Sequence, residues 1–220
     1  NKPLLIINIR IKMFEYIEVG GIFMWPIFCL SVLGIAVLLE KGAYFLFTEI
    51  DATSSFKIKL CNLILEGDYA KIKEFCKSYK NSLAKTALFV TENLGEGASK
   101  TQIDYIAEEA VSMQLTSLER RTWILGLCAS ASPQLGLLGT IVGMIKAFSG
   151  LSGGVDAPLV AVGISEALYT TAFGLIVAIP CVIFFLMISK KIDFILNDLN
   201  RIMSLFGRSF ERRSCEVCPS

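Results

Sequence analysis

The sequence predicts an all-α, polytopic membrane protein with three transmembrane helices and cytoplasmic helical extensions. Two observations carry this prediction. Hydrophobic residues make up 54% of the chain and charged ones only 19%. The apolar residues are also gathered into runs, for residues 20–39, 122–145 and 167–189 contain no charged side chain. A helix needs about 20 apolar residues to cross the roughly 30 Å hydrocarbon core, and the buried helices of soluble proteins carry shorter runs. Each run meets that length.

In order, the chain reads as an N-terminal segment (1–19), a first span (20–40), a large loop (41–121), a second span (122–146), a short loop (147–165), a third span (166–189) and a tail (190–220). The first apolar run is too long for a cleaved signal peptide, and no small-residue cleavage site follows it. Met13 is an alternative start, which would make residues 1–12 an upstream extension. Lys41, Arg120, Arg121, Lys190 and Lys191 flank the spans on one side, whereas the other side carries only Lys146, where the second span meets the short loop. Excess Lys and Arg near span ends marks the cytoplasmic side. The large loop and the tail are therefore expected in the cytoplasm and residues 147–165 outside it. Lys2, Arg10 and Lys12 pull the other way unless Met13 is the start.

The loop reads as helix. Ser54 or Ser55 can cap a segment with Phe56, Leu60, Leu63 and Ile64 on one face, ended by Gly67. Asp68 can cap the next, which carries Ile72, Phe75 and Tyr79. After Gly95 and Gly97, Ser99-x-x-Gln102 fits a capping box, and no Gly or Pro follows until Gly126. This predicts one long helix, with Ile103, Ile106, Ala110 and Met113 along one side, running without a break into the second span. The third span likewise continues through Ile192, Ile195, Leu196, Leu199, Ile202, Met203 and Phe206 to a stop at Gly207. Such a stripe must be buried, either on the chain's own loop helices or between subunits.

Composition excludes several functions. A net charge of +1 offers no basic surface for nucleic acid. Histidine is absent, which removes the usual proton shuttle and the commonest metal ligand. Cys29, Cys128 and Cys181 fall in the spans, Cys61 and Cys76 stand alone in the loop, and Cys215-x-x-Cys218 has no third or fourth ligand beside it. No metal or cofactor is expected. Nothing resembles a nucleophile–base arrangement, so the chain does not read as an enzyme. Three spans without an inverted repeat fit a secondary transporter poorly, which leaves a passive membrane scaffold as the remaining alternative.

The second and third spans hold the candidate site. Ala129, Ser132, Gly136, Gly139, Gly143 and Ala147 form a stripe of small residues at helical spacing, and Gly174 is a small position on the third span. Lipid gives helices no hydrophobic reward for associating, so close packing through small residues must supply it. The stripe is expected to face neighbouring helices in an oligomer. Pro133 and Pro180 each remove a helix hydrogen bond. Thr140 and Thr171 each lie five residues from a span boundary, about 7–8 Å deep at 1.5 Å per residue, so the two hydroxyls are expected at one level. Thr170 adjoins them. Their ordinary role is to bond carbonyls of their own helix. Glu166 is the acid at the outer edge of the third span. It either complements a helix terminus or attracts ions at a pore mouth.

Pro133-Gln-Leu-Gly-Leu-Leu-Gly-Thr-Ile-Val-Gly-Met144 and Gly163-Ile-Ser-Glu-Ala-Leu-Tyr-Thr-Thr-Ala-Phe-Gly-Leu-Ile-Val-Ala-Ile-Pro180 resemble the signature of the MotA/TolQ/ExbB proton-channel family. Gly21-Ile-Phe-Met-Trp-Pro26 and Leu39-Glu-Lys41 resemble its first-span region. The resemblance implies an inner-membrane homopentamer around a dimer of single-span ExbD- or TolR-like partners, whose helix supplies an aspartate. It further implies a TonB- or TolA-like transducer, protons as coupling ion with sodium as the alternative, and Thr140, Glu166 and Thr171 as pore-lining residues. Three spans and a short loop fit ExbB or TolQ better than a four-span flagellar stator.

Overall fold

The computed structural model describes residues 21–48, 54–94, 100–149 and 157–217. Among them are seven helices: α1 (Met24–Thr48), α2 (Ser54–Glu66), α3 (Tyr69–Lys77), α4 (Ser82–Asn93), α5 (Lys100–Glu119), α6 (Thr122–Ser149) and α7 (Ala157–Val217). They form two compact units. One holds the described residues up to Leu39 together with Arg121–Met187, and the other holds Glu40–Arg120 together with the residues from Ile188 onward.

α1, α6 and α7 each contain a stretch long and apolar enough to cross a membrane: Met24–Phe45, Thr122–Ser149 and Val160–Ser209. Large apolar side chains point outward from all three helices. Trp25, Val32, Ile35, Leu137, Ile141, Leu168, Ile176 and Ile183 are exposed. Water would not tolerate so continuous an apolar surface, but lipid covers it at no cost. The helices differ from the expected spans at their ends. α1 runs past residue 40 to Thr48, and α7 begins at Ala157 within the stretch expected as loop.

The second unit is built from local caps and one apolar core. Gly67, at φ +70°, ends α2 in the left-handed conformation that glycine adopts without strain. Asp68 then caps α3 by accepting from the Lys71 amide at 3.2 Å. The Lys71 ammonium, 3.0 Å from Asp68, holds that carboxyl below its ordinary range with help from the same amide. Asn81, fully buried, caps α4 through the Ala84 amide at 2.8 Å. Ser54 and Ser55 both lie inside α2, so neither is the cap expected of them, while Ser99 lies outside the described residues.

α2 to α5 pack in sequence, each on the next. Phe56 stacks on Phe75 at 5.3 Å, and Tyr79 closes the cluster at 4.6 Å from Phe56. Aromatic pairs at such spacing add about 0.5–1.5 kcal/mol beyond the area they bury. Ile103, Ala107, Ala110 and Leu118 form the buried row of α5. Met113, expected in that row, is exposed. Ile192, Ile195, Leu199, Ile202, Met203 and Phe206 on α7 are buried within this chain. Of the two coverings open to that stripe, the chain's own loop helices supply one. Gly207 does not stop α7, which continues to Val217. Glycine ends a helix only where the backbone turns left-handed, and Gly207 is instead buried in the packed face, 3.4 Å from Asp104 Oδ1 at the place a Cβ would take.

The expected continuous helix across residue 120 is interrupted. α5 ends at Glu119, and Arg121 takes φ 64° before α6 begins. A left-handed arginine costs about 1–2 kcal/mol, so a rule keyed to Gly and Pro misses the break. The last carbonyls of α5 lack helical donors. Buried Lys41 serves one of them, donating to the Leu118 carbonyl at 2.6 Å. Its positive charge also suits a helix C-terminus.

Burial pushes the Cys76 thiol up to about 11 from its ordinary 9.0. A shift of that size leaves roughly a hundredfold less reactive thiolate at neutral pH. The unfolded chain ionises first as pH rises, so the stabilisation from the neutral thiol is complete below about pH 9 and is lost as pH climbs to about 11. A maleimide is therefore expected to label native Cys76 slowly and denatured Cys76 fast, which stopped labelling with mass spectrometry measures. Equal rates in both states would contradict the burial.

Candidate functional site

The site is the antiparallel hairpin of α6 and the first half of α7. Its two helices approach so closely that side chains barely fit between them. A Cβ at Gly136 would stand 3.0 Å from the Thr171 Cα, and one at Gly139 2.6 Å from the Thr170 Oγ1. At Gly143 it would meet the Ala167 Cβ and the Gly163 carbonyl, each at 2.8 Å. From the other side, a Cβ at Gly174 would lie 2.6 Å from the Ser132 carbonyl, and one at Gly163 3.0 Å from the Ala147 Cβ. The small stripe therefore faces α7 of the same chain. This corrects the expectation that it faces a neighbouring subunit. Ser132, Gly136, Gly139, Gly143 and Ala147 are buried in the seam, and Ala129 is half-buried.

The answering stripe on α7 is Gly163, Ala167, Thr170, Thr171 and Gly174. Sequence reasoning took only Gly174 from it as a packing residue. The Gly163-x-x-x-Ala167 spacing is the small-xxx-small pattern of close helix contacts and was the available signal. α1 joins through Gly34, where a Cβ would touch the Cys181 sulfur at 3.0 Å. The Cys128 thiol donates to the Leu30 carbonyl at 3.3 Å.

The threonines divide into two kinds. Thr140 donates to Leu137 O on its own helix at 2.6 Å. Thr170, buried, turns back to the Glu166 and Ala167 carbonyls at 2.8 and 3.0 Å. Thr171 alone of the three crosses the seam, donating to the Gly136 carbonyl at 2.9 Å. That bond levels Thr171 with Gly136. Thr140 lies four residues further along α6, roughly 6 Å nearer the short loop. The expected shared level of Thr140 and Thr171 is thus corrected by about one helical turn. The cause is the tight register of the glycines, which boundary counting cannot see.

Glu166 stands at the short-loop end of the seam. Its Oε1 accepts from the Lys146 ammonium at 2.7 Å, and its carboxylate lies against the α-carbon of Gly21, just ahead of α1. Among the described residues, no group of three or more Cys, His, Asp or Glu could hold a metal ion. The Cys215 and Cys218 side chains lie outside that description.

Comparison with known proteins places the hairpin in context. The model of the MotA/TolQ/ExbB proton channel family matches residues 76–201, which include α6 and most of the α7 span. An ExbB-like biopolymer transport protein of Synechocystis is 34% identical over 176 residues, covering 75% of this chain and 79% of that protein. The Tol-Pal system protein TolQ of Haemophilus influenzae is 38% identical over 112 residues, half of this chain and 49% of TolQ. The biopolymer transport protein ExbB of Helicobacter pylori is 38% identical over 105 residues, 47% of this chain and 72% of that protein. A glycine-spaced hairpin within the matched segment, three apolar helices and a relative matched over most of both lengths agree: the chain belongs to the MotA/TolQ/ExbB proton channel family.

Proposed function

We propose that the chain is the channel subunit of a proton-driven inner-membrane complex of the ExbB or TolQ kind. The chemistry of the α6–α7 seam carries this reading. The polar side chains in the seam are the hydroxyls of Ser132, Thr170 and Thr171, and the apolar runs hold no titratable carboxylate, amine or imidazole. Hydroxyls can solvate a proton carrier but cannot exchange a proton near neutral pH. The carrier is then a carboxylate brought by a partner, an aspartate on a single-span ExbD- or TolR-like helix. In this reading five copies surround two partner helices, the large loop and the tail lie in the cytoplasm, and a TonB- or TolA-like protein takes the work to the outer membrane. The chain acts as a transport component and carries no catalytic residue. A Tol-Pal role is the alternative, supported by a TolQ relative as similar, at 38% identity, as an ExbB one.

Reconstitution tests the proposal. Liposomes carrying the chain and its single-span partner are expected to acidify when a proton gradient is imposed, whether the cation outside is sodium or potassium. Replacing the partner's membrane aspartate by asparagine should abolish the flux. Passage through the chain alone, or none through the pair, would overturn the reading.

A further inference from the structure

Three segments far apart in sequence meet at one carboxylate. Lys146 comes from the last turn of α6, Glu166 from α7, and Gly21 from the turn before α1. The Glu166 side chain is only 18% exposed, whereas Lys146 is 53% exposed. Gly21 has φ +70°, and any Cβ there would collide with the Glu166 carboxylate. Gly21 thus lies directly against the carboxylate. Lys146 is the charged group that faces it from α6. On α7 itself the neighbouring Thr170 hydroxyl is bonded to the Glu166 backbone carbonyl.

We infer that Lys146 is a positioning residue for the proposed ion path, holding Glu166 as a lock across the short-loop ends of α6 and α7 and against the start of α1. The inference rests on the channel reading above. It gives Glu166 a different role from that of an exposed ion collector at the pore mouth. A collector must face water. This carboxylate is largely withdrawn from it and already has a cationic partner at hydrogen-bond distance.

The asymmetry of exposure makes the two roles separable. Removing Lys146 leaves a sheltered negative charge uncompensated, which is the costly way to break an ion pair. Removing the charge of Glu166 leaves an ammonium already half in water, which costs little. A lock therefore predicts that Lys146→Gln harms function more than Glu166→Gln does. A collector predicts the reverse order.

The experiment measures gradient-driven proton flux of the complex with its partner, alongside recovery of the complex by pull-down. Lys146→Gln is expected to lose on the order of fivefold. The charge-swapped pair, Lys146→Glu with Glu166→Lys, should recover most of the parent flux. Parent-level flux in Lys146→Gln, greater harm from Glu166→Gln, or a swap no better than the single change would each overturn the lock. If Lys146→Gln fails to accumulate, Lys146→Arg decides, since it keeps the pair: parent flux upholds the lock and lost flux overturns it. Thr171→Val, run beside them, separates the two levels. Its full activity would defeat the channel reading, whereas its loss together with a normal Lys146→Gln would defeat only the lock.

Discussion

Gly139→Leu is expected to leave little folded protein. Even the first added carbon would sit 2.6 Å from the Thr170 hydroxyl and 2.7 Å from its Cβ, well inside van der Waals contact. Thr170 is itself buried and bonded to two carbonyls of its own helix, so it has nowhere to turn. Overpacking a core costs about 1–3 kcal/mol where side chains can shift, and here the obstacle sits against backbone, so a cost of about 3 kcal/mol or more is expected. Gly139→Ala should fall between Leu and the parent. Leu138→Ala is the control, because Leu138 is exposed on the outer face of the same helix. Thermal unfolding in detergent, followed by size-exclusion fluorescence, measures all three. The stripe faces the chain's own α7, so failure should appear as loss of the protomer and not as its release from an oligomer. A Gly139→Leu protein that melts with the parent would mean the helices do not approach as described.

Thr171→Val is expected to abolish gradient-driven activity while the protein still folds and assembles. Valine keeps the shape of threonine and removes the hydroxyl. The hydrogen bond lost, from Thr171 to the Gly136 carbonyl at 2.9 Å, is of a kind that contributes only about 0.6 kcal/mol between membrane helices. The effect on stability is therefore small. Function should fall at least tenfold, roughly the difference made by about 1.4 kcal/mol, because a partner carboxylate changing protonation beside these helices needs a polar neighbour. Thr171→Ser should retain activity and Thr140→Val should lose it. Proton-gradient-dependent activity in cells, with pull-down of the complex as control, gives the answer. Full activity in both valine variants would return the threonines to ordinary helix packing.

Much of this architecture was legible because its signals are local. Charge-free runs gave the three membrane helices, and Gly67 with Asp68 gave the joint between α2 and α3. The small stripe announced close packing, since side-chain size can be read along a single helix. Its partner was not legible, because Gly139 and Thr170 meet only through tertiary register. The same holds for Glu166: nothing in the residues beside it reports that Lys146, twenty positions earlier, reaches it. The break at Arg121 escaped for another reason, since the residue there is one that seldom adopts a left-handed backbone. Asn81 was a missed local signal, an N-cap of an ordinary kind.

The glycine spacing of the hairpin also constrains how such a chain can diverge. Where a helix pair is separated by little more than backbone, an enlargement on one side is tolerable only with a reduction opposite it. Position 139 could accept alanine most readily if residue 170 were trimmed to glycine, since both the Thr170 Oγ1 and its Cβ stand under 3 Å from the added carbon, and position 174 could accept a side chain only if the helix around Ser132 moved away. Drift along this seam should therefore proceed by coupled exchanges, with Gly139 and Thr170 or Gly143 and Ala167 changing together. The exposed leucines and isoleucines of the same helices meet no such backbone within the chain and are free of this coupling.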